Sequence, residues 1–94
     1  MILVKIHPNE IVSLCDADLI GKTFEEGDLC LDVSERFYKG EEMEEERIVK
    51  LLKTADNMNF VGKESIALAI KAKVINEDCI IKIQGIPHAQ VFAL

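Results

Sequence analysis

Apolar and polar residues alternate from the start of the chain: Ile2, Val4 and Ile6 fall on one side, Leu3 and Lys5 on the other. That is the period of a β-strand. His7-Pro8-Asn9-Glu10 carries turn chemistry, with Pro presetting φ and Asn next to it. Alternation resumes over Ile11 to Cys15, so residues 2–15 read as a β-hairpin. Asp16 is placed to cap a single helical turn through Leu19, and Gly21 and Gly27 are natural breakers after that turn. A third strand is expected over Asp28-Leu29-Cys30-Leu31-Asp32-Val33. Ser34 then caps a short turn, Glu35 to Tyr38, that stops at Gly40.

From Glu41 to Ala55 the spacing changes to threes and fours. Ile48, Leu51, Leu52 and Ala55 share a face, which predicts a helix. Acidic residues crowd its first turns while Lys50 and Lys53 sit in the last, in the sense of the helix dipole. Asp56-Asn57-Met58-Asn59 interrupts the pattern. A second helix is expected over about residues 62–73, with Ile66, Ile70 and Val74 in one row. Asn76-Glu77-Asp78 turns the chain into a strand over 79–84, with a tight corner at Gly85-Ile86-Pro87 and then a second extended segment through Ala93.

This order segregates helices from strands. It predicts one α+β domain over residues 1–94, with a mostly antiparallel sheet of about five strands and two main helices packed on one face. Residues 2–6 and 79–84 each need a neighbour, and their pairing is expected to close the chain on itself.

Composition narrows the partners. Nearly half the residues are apolar and 30% are charged, with a net charge of −6. An acidic chain is a poor match for nucleic acid, whose binding rests on Lys and Arg neutralising phosphates. The same balance disfavours anionic membranes and suits a divalent cation or a basic protein partner. Cys15, Cys30 and Cys79 are odd in number and widely spaced, as expected of reduced, buried thiols in a cytoplasmic protein. No apolar run approaches the roughly 20 residues of a membrane span, and the start has neither the basic nor the cleavage features of a signal peptide.

Two near-motifs fail on chemistry. Gly21-Lys22-Thr23 looks like the end of a phosphate loop, but Asp16 stands where that loop needs its first Gly. Asp16, Asp18 and Gly21 match an EF-hand at positions 1, 3 and 6, yet Gly27 at position 12 cannot supply the bidentate carboxylate.

Two candidate sites are left. The first is acidic. Glu41, Glu42, Glu44, Glu45 and Glu46 lie three and four apart on the expected helix, with Asp32 and Glu35 available if the third strand ends nearby. Several oxygens on one side suit weak, largely electrostatic Ca²⁺ or Mg²⁺ binding. A solvated helix start is the plainer account of the same residues. The second is a Gly-rich corner of Gly21, Lys22, Thr23, Gly62, Gly85, Pro87, His88 and Gln90, suited to a small molecule or an RNA or ribosomal element. His88 and Gln90 are two apart and share a face of an extended segment. Against a role in acid–base chemistry stands the commoner use of His to tie down a turn. Cys15 and Cys79 are expected to be buried and inert, so neither pairs chemically with His88. His7 reads as a surface residue, Phe37 as packing under the helix, and no nucleophile–base pair points to an enzyme. The expected function is therefore binding: a divalent cation at the acidic helix start, or, alternatively, a ligand at the corner.

Taken whole, the chain resembles the small archaeal proteins grouped as the domain-of-unknown-function family numbered 424. The resemblance rests on Cys15-Asp16, Leu19 to Gly27, Val33-Ser34 with Phe37-Tyr38, Asn59 to Gly62, and Ile83 to Gln90. It implies an archaeal cytosolic protein with an α+β fold and carries no reaction or catalytic residues. Gln84 is a departure, since relatives are expected to have Gly there.

Overall fold

The computed structural model describes residues 1–8 and 10–92, so Asn9 of the first turn and Ala93 of the last segment lie outside it. The hairpin at the start forms as the alternation predicts. Strand β1 (Ile2–Ile6) pairs antiparallel with β2 (Ile11–Asp16), Val4 facing Leu14 across the ladder. A 3₁₀ turn comes next at Ala17–Leu19, then an antiparallel hairpin of β3 (Thr23–Glu26) and β4 (Leu29–Asp32). The first of these strands is absent from the sequence reading, because Gly21 and Gly27 bracket it closely. Ser34 does cap the turn after it: its Oγ accepts from the Phe37 N–H at 3.2 Å and starts α1 (Glu35–Tyr38).

The helix expected from Glu41 begins later. Glu41–Glu42 form a short strand, β5, on the outer edge of β1, and α2 runs from Glu45 to Thr54. The correction has a simple cause: carboxylates say nothing about backbone state, and Leu3 and Val4 offer an open ladder to pair with. A second correction is larger. Asn57-Met58-Asn59, expected to belong to a break, lie in strand β6 (Asn57–Val61) in the middle of the sheet. Helix α3 (Lys63–Lys71) comes after it, then a 3₁₀ turn at Glu77–Cys79, β7 (Ile81–Ile83) and β8 (Ile86–Val91).

The main sheet has six strands in the order β5-β1-β2-β6-β8-β7, with three α-helices among the described residues. It is mixed: β2 and β6 run parallel and every other neighbouring pair is antiparallel. The expected pairing of residues 2–6 with 79–84 does not occur, because β2, β6 and β8 stand between β1 and β7. Parallel neighbours need a long crossover, and the segment carrying α2 supplies it.

Both faces of the sheet are covered. On one, Val4, Val12, Leu14, Met58, Phe60 and Ala89 pack against Ile48 and Leu52 of α2 and Ile66 and Ala69 of α3. The two main helices thus share a face, as predicted. On the other, Cys15, Val61 and Ile83 meet Leu19, Leu31, Val33 and Tyr38 from the 3₁₀ turn, the small hairpin and α1. Phe37 belongs to this second cluster and not under α2, a correction to the sequence reading. The corner after β7 is a two-residue turn with positive φ at both Gln84 (51°) and Gly85 (78°), the backbone of a type I′ hairpin.

Candidate functional site

Strand β2 ends on Asp16, which is buried, and its carboxylate reaches the first turn of α3. One oxygen accepts from the Ser65 amide and hydroxyl, each at 2.8 Å, and the other accepts from the Glu64 amide at 3.0 Å. Asp16 therefore caps α3, 49 residues away, and not the 3₁₀ turn beside it, to which it makes no side-chain bond. Gly62 fits this joint. Its φ is 106°, and a Cβ there would sit 2.2 Å from the Asp16 Cγ. Its N–H donates to the Pro87 carbonyl at 2.9 Å, tying the head of α3 to β8. A helix N-terminus attracts anions, but here the protein's own carboxylate already holds those donors.

The predicted corner residues are spread over four places. The Gly21 N–H donates to the Val33 carbonyl, and the Lys22 carbonyl accepts from the Val33 N–H, which pins this loop to the end of β4. Thr23 donates to Asp32 across the small hairpin at 3.3 Å. Gly62 and Pro87 form the joint just described. Gly85 lies in the β7–β8 turn, where the Gln84 side chain donates to the Glu25 carbonyl at 2.6 Å.

His88 and Gln90 do share a site. They line an open groove of about 220 Å³ together with Cys79, Ile81 and Ala89. Its origin is a mismatch of strand lengths: β7 begins at Ile81, the register partner of His88, while β8 runs on to Val91. The chain before β7 swings into the Glu77–Cys79 turn, whose Asn76 cap accepts from the Asp78 N–H at 3.0 Å. Cys79 is consequently exposed, which corrects its placement inside a strand, and it is a groove residue that the sequence reading missed. An Asn-capped turn at Asn76 was the available signal. His88 is 9% exposed, and its Nδ1 lies 2.9 Å from the Phe60 carbonyl. A carbonyl oxygen only accepts, so Nδ1 carries the proton and Nε2 is the acceptor of the neutral ring.

The acidic candidates sit on separate elements: Asp32 in β4, Glu35 in α1, Glu41 and Glu42 in β5, Glu44 before α2, and Glu45 and Glu46 in its first turn. Glu45 pairs with Lys71 of α3, and Asp32 accepts from Thr23. No group of three His, Cys, Asp or Glu among the described residues is arranged to hold a metal ion. On β5 the charges have a structural use, since acidic residues on an edge strand discourage pairing with another chain.

On the sheet face opposite α2 and α3, a polar network lies under α1. His7 is half-buried and stacks on Phe37 with centroids 4.3 Å apart, correcting its reading as a surface residue. Burial and nearby Lys5 push its pKa below the usual value. The Tyr38 hydroxyl donates to Asn59 Oδ1 at 2.8 Å. Burial raises Tyr38 to about 12, and burial with the Asp16 and Asp18 charges raises Cys15 to about 12. The buried Cys15 thiol is thus held protonated at neutral pH.

Residues 4–94 match the family described as "Protein of unknown function (DUF424)". The chain belongs to this family. A comparison with curated proteins found no match. Among solved structures, the chain is similar to one titled "Crystal structure of an uncharacterized conserved protein from Methanopyrus kandleri". The two are 29% identical with a TM-score of 0.76, over 99% of this chain and 93% of that one. The similarity to this solved structure agrees with the mixed α+β architecture. No helix among the described residues is long and apolar enough to cross a membrane.

Proposed function

We propose that this DUF424 protein is a small binding module whose ligand site is the groove at the free edge of β8. One observation carries the reading: His88, its tautomer set by the Phe60 carbonyl, lines an open groove beside an exposed thiol and an exposed amide side chain. The His88 Nε2 accepts, the Gln90 amide can donate and accept, and Ile81 adds an apolar wall. At about 220 Å³ the groove is smaller than the roughly 300 Å³ at which small-molecule pockets usually begin. Its ligand is a small uncharged molecule of about one ring, bound by hydrogen bonds and one apolar contact. A phosphate-bearing ligand fits less well, with Glu77 and Asp78 adjacent and a net charge of −6. Weak Ca²⁺ or Mg²⁺ association at the start of α2 is a separate proposal that rests on carboxylate density alone.

Amide chemical shifts recorded against a library of neutral ring fragments test the groove. The expected changes fall on residues 79–81 and 88–90. Gln90→Ala and Cys79→Ala, both at exposed positions, should each weaken binding by removing a hydrogen-bonding group, the amide variant roughly tenfold and the thiol variant less. Fragments that perturb other surfaces, or that bind both variants unchanged, would defeat the proposal. A calcium titration that moves residues 41–46 and leaves the groove still would separate the two sites.

A further inference from the structure

Helix α2 carries an ordered charge pattern on its open side. A broad groove of about 730 Å³ runs along it, lined by Glu45 and Glu46 at one end, Val49 in the middle, Lys50 and Lys53 at the other end, and Lys71 contributed by α3. Glu45, Val49 and Lys53 are successive at spacings of four and so lie along one helix face. Val49 is half-buried and packs on the core beneath, which leaves an apolar step between two ends of opposite sign.

Such a stripe is complementary to itself. A two-fold axis passing at Val49 sets each position beside the one equally far on the other side in the second copy. Lys53 lies four residues after Val49 and Glu45 four before it. Glu45 of each copy would then face Lys53 of the other, and the two Val49 side chains would meet between them. The groove is also locally neutral, since Glu44, Glu45 and Glu46 are matched by Lys50, Lys53 and Lys71. Two molecules that each carry a net charge of −6 repel across most approaches, and this face removes that obstacle. Glu45 already pairs with Lys71 in its own chain, but both side chains are more than half exposed, so Lys53 of the second copy can join them.

We infer that the occupant of this groove is a second copy of the chain, docked with the two α2 helices antiparallel about Val49. The contact is modest in area and largely electrostatic at its ends, so the dimer is weak and dissolves as salt screens the charges.

Sedimentation equilibrium of the full chain over a concentration series, at low and high salt, provides the test. The wild type should dimerise reversibly, with a dissociation constant that rises with salt. Glu45→Lys makes both ends of the stripe basic and Lys53→Glu makes both acidic, so each variant alone should self-associate at least about tenfold more weakly. An equimolar mixture should regain wild-type association, because one all-basic and one all-acidic stripe are again complementary in this register. Both substitutions are at exposed positions, and unchanged thermal unfolding of each variant confirms that the fold is intact. A wild type that stays monomeric at about 1 mM, variants that dimerise as the wild type does, or a mixture that fails to associate would each overturn the inference.

Discussion

Asp16 and Ser65, at the ends of elements far apart in sequence, share one carboxylate oxygen: the Ser65 amide and hydroxyl both donate to it at 2.8 Å. The second oxygen takes the Glu64 amide. Through this contact the last residue of β2 becomes the cap of α3, and the parallel strands β2 and β6 are locked at one end. Replacing Asp16 with Ala removes three hydrogen bonds and leaves two amides of the first helical turn without their partner. A loss of about 2–3 kcal/mol is expected in chemical denaturation. Asp16→Asn keeps one acceptor oxygen and should lose about half as much.

Gly62 depends on the same carboxylate. Its positive φ strains any other residue, and a Cβ would meet Asp16 at 2.2 Å. Gly62→Ala should therefore cost more than about 2 kcal/mol. Part of that cost is a clash with atoms that Asp16→Ala deletes, so the double variant should lose less than the two single losses added. A strictly additive double-mutant cycle would show that the two residues are not coupled.

This joint marks the boundary of what could be read from the chain. Local patterns were legible where they rest on neighbours a few residues away: the alternation of Ile2–Ile6, the Ser34 cap and the apolar face of α2. Two others shift: Ile70 of the expected α3 row is exposed while Leu68 and Ala69 are buried, and the corner expected at Gly85-Ile86-Pro87 turns at Gln84-Gly85, with Ile86 and Pro87 already in β8. The central strand β6 was not legible. Its Asn57 and Asn59 look like loop residues until Tyr38, 21 positions earlier, is seen to donate to Asn59 across the sheet. A polar residue on a buried strand face is permitted by a distant partner, and sequence spacing does not name that partner. The same blindness put Glu41 and Glu42 in a helix, when β1 was waiting to pair with them. In the groove, His88 and Gln90 lie together because two-residue spacing shares a strand face. Cys79 was missed because the start of β7 depends on where its ladder with β8 ends.

Removing the Tyr38 hydroxyl tests the account of β6. Tyr38→Phe leaves the Asn59 side-chain oxygen buried without that donor, so a loss of about 1–2 kcal/mol is expected. Tyr38→Phe with Asn59→Leu, which takes away both polar partners, should recover part of it, as removing a matched pair is gentler than orphaning one member. Equal losses for the single and double variants would mean that the bond contributes little.

Two buried groups contribute to alkaline stability. Cys15 and Tyr38 both titrate near 12 in the folded chain, against ordinary values of 9.0 and 10.0. Between those limits the unfolded chain has released these protons while the native chain still holds them. Their contribution to stability is thus complete below about pH 9 and is lost as pH rises through 12. The decline should begin with the thiol. In Cys15→Ala the curve of unfolding free energy against pH should stay flatter between about pH 9 and 10, then fall as Tyr38 takes over. A wild-type curve level to pH 12 would contradict the burial of both groups.

His7 gives the opposite sign at the acid side. Its folded pKa lies below the ordinary 6.5 because the half-buried ring stacked on Phe37 is partly withdrawn from water and Lys5 stands nearby. The unfolded chain binds the proton first, so its contribution to stability is present above 6.5 and is lost as pH falls through the folded value. Proton NMR of the ring should place its midpoint below 6.5. Phe37→Ala uncovers the ring and should move that midpoint upward, and Lys5→Gln should do so through charge alone. The two routes are distinguishable by salt: screening should shrink the Lys5 effect and leave the Phe37 effect in place. A midpoint at or above 6.5 in the wild type, or one unmoved by either substitution, would remove the stacked and partly dehydrated His7 from this picture.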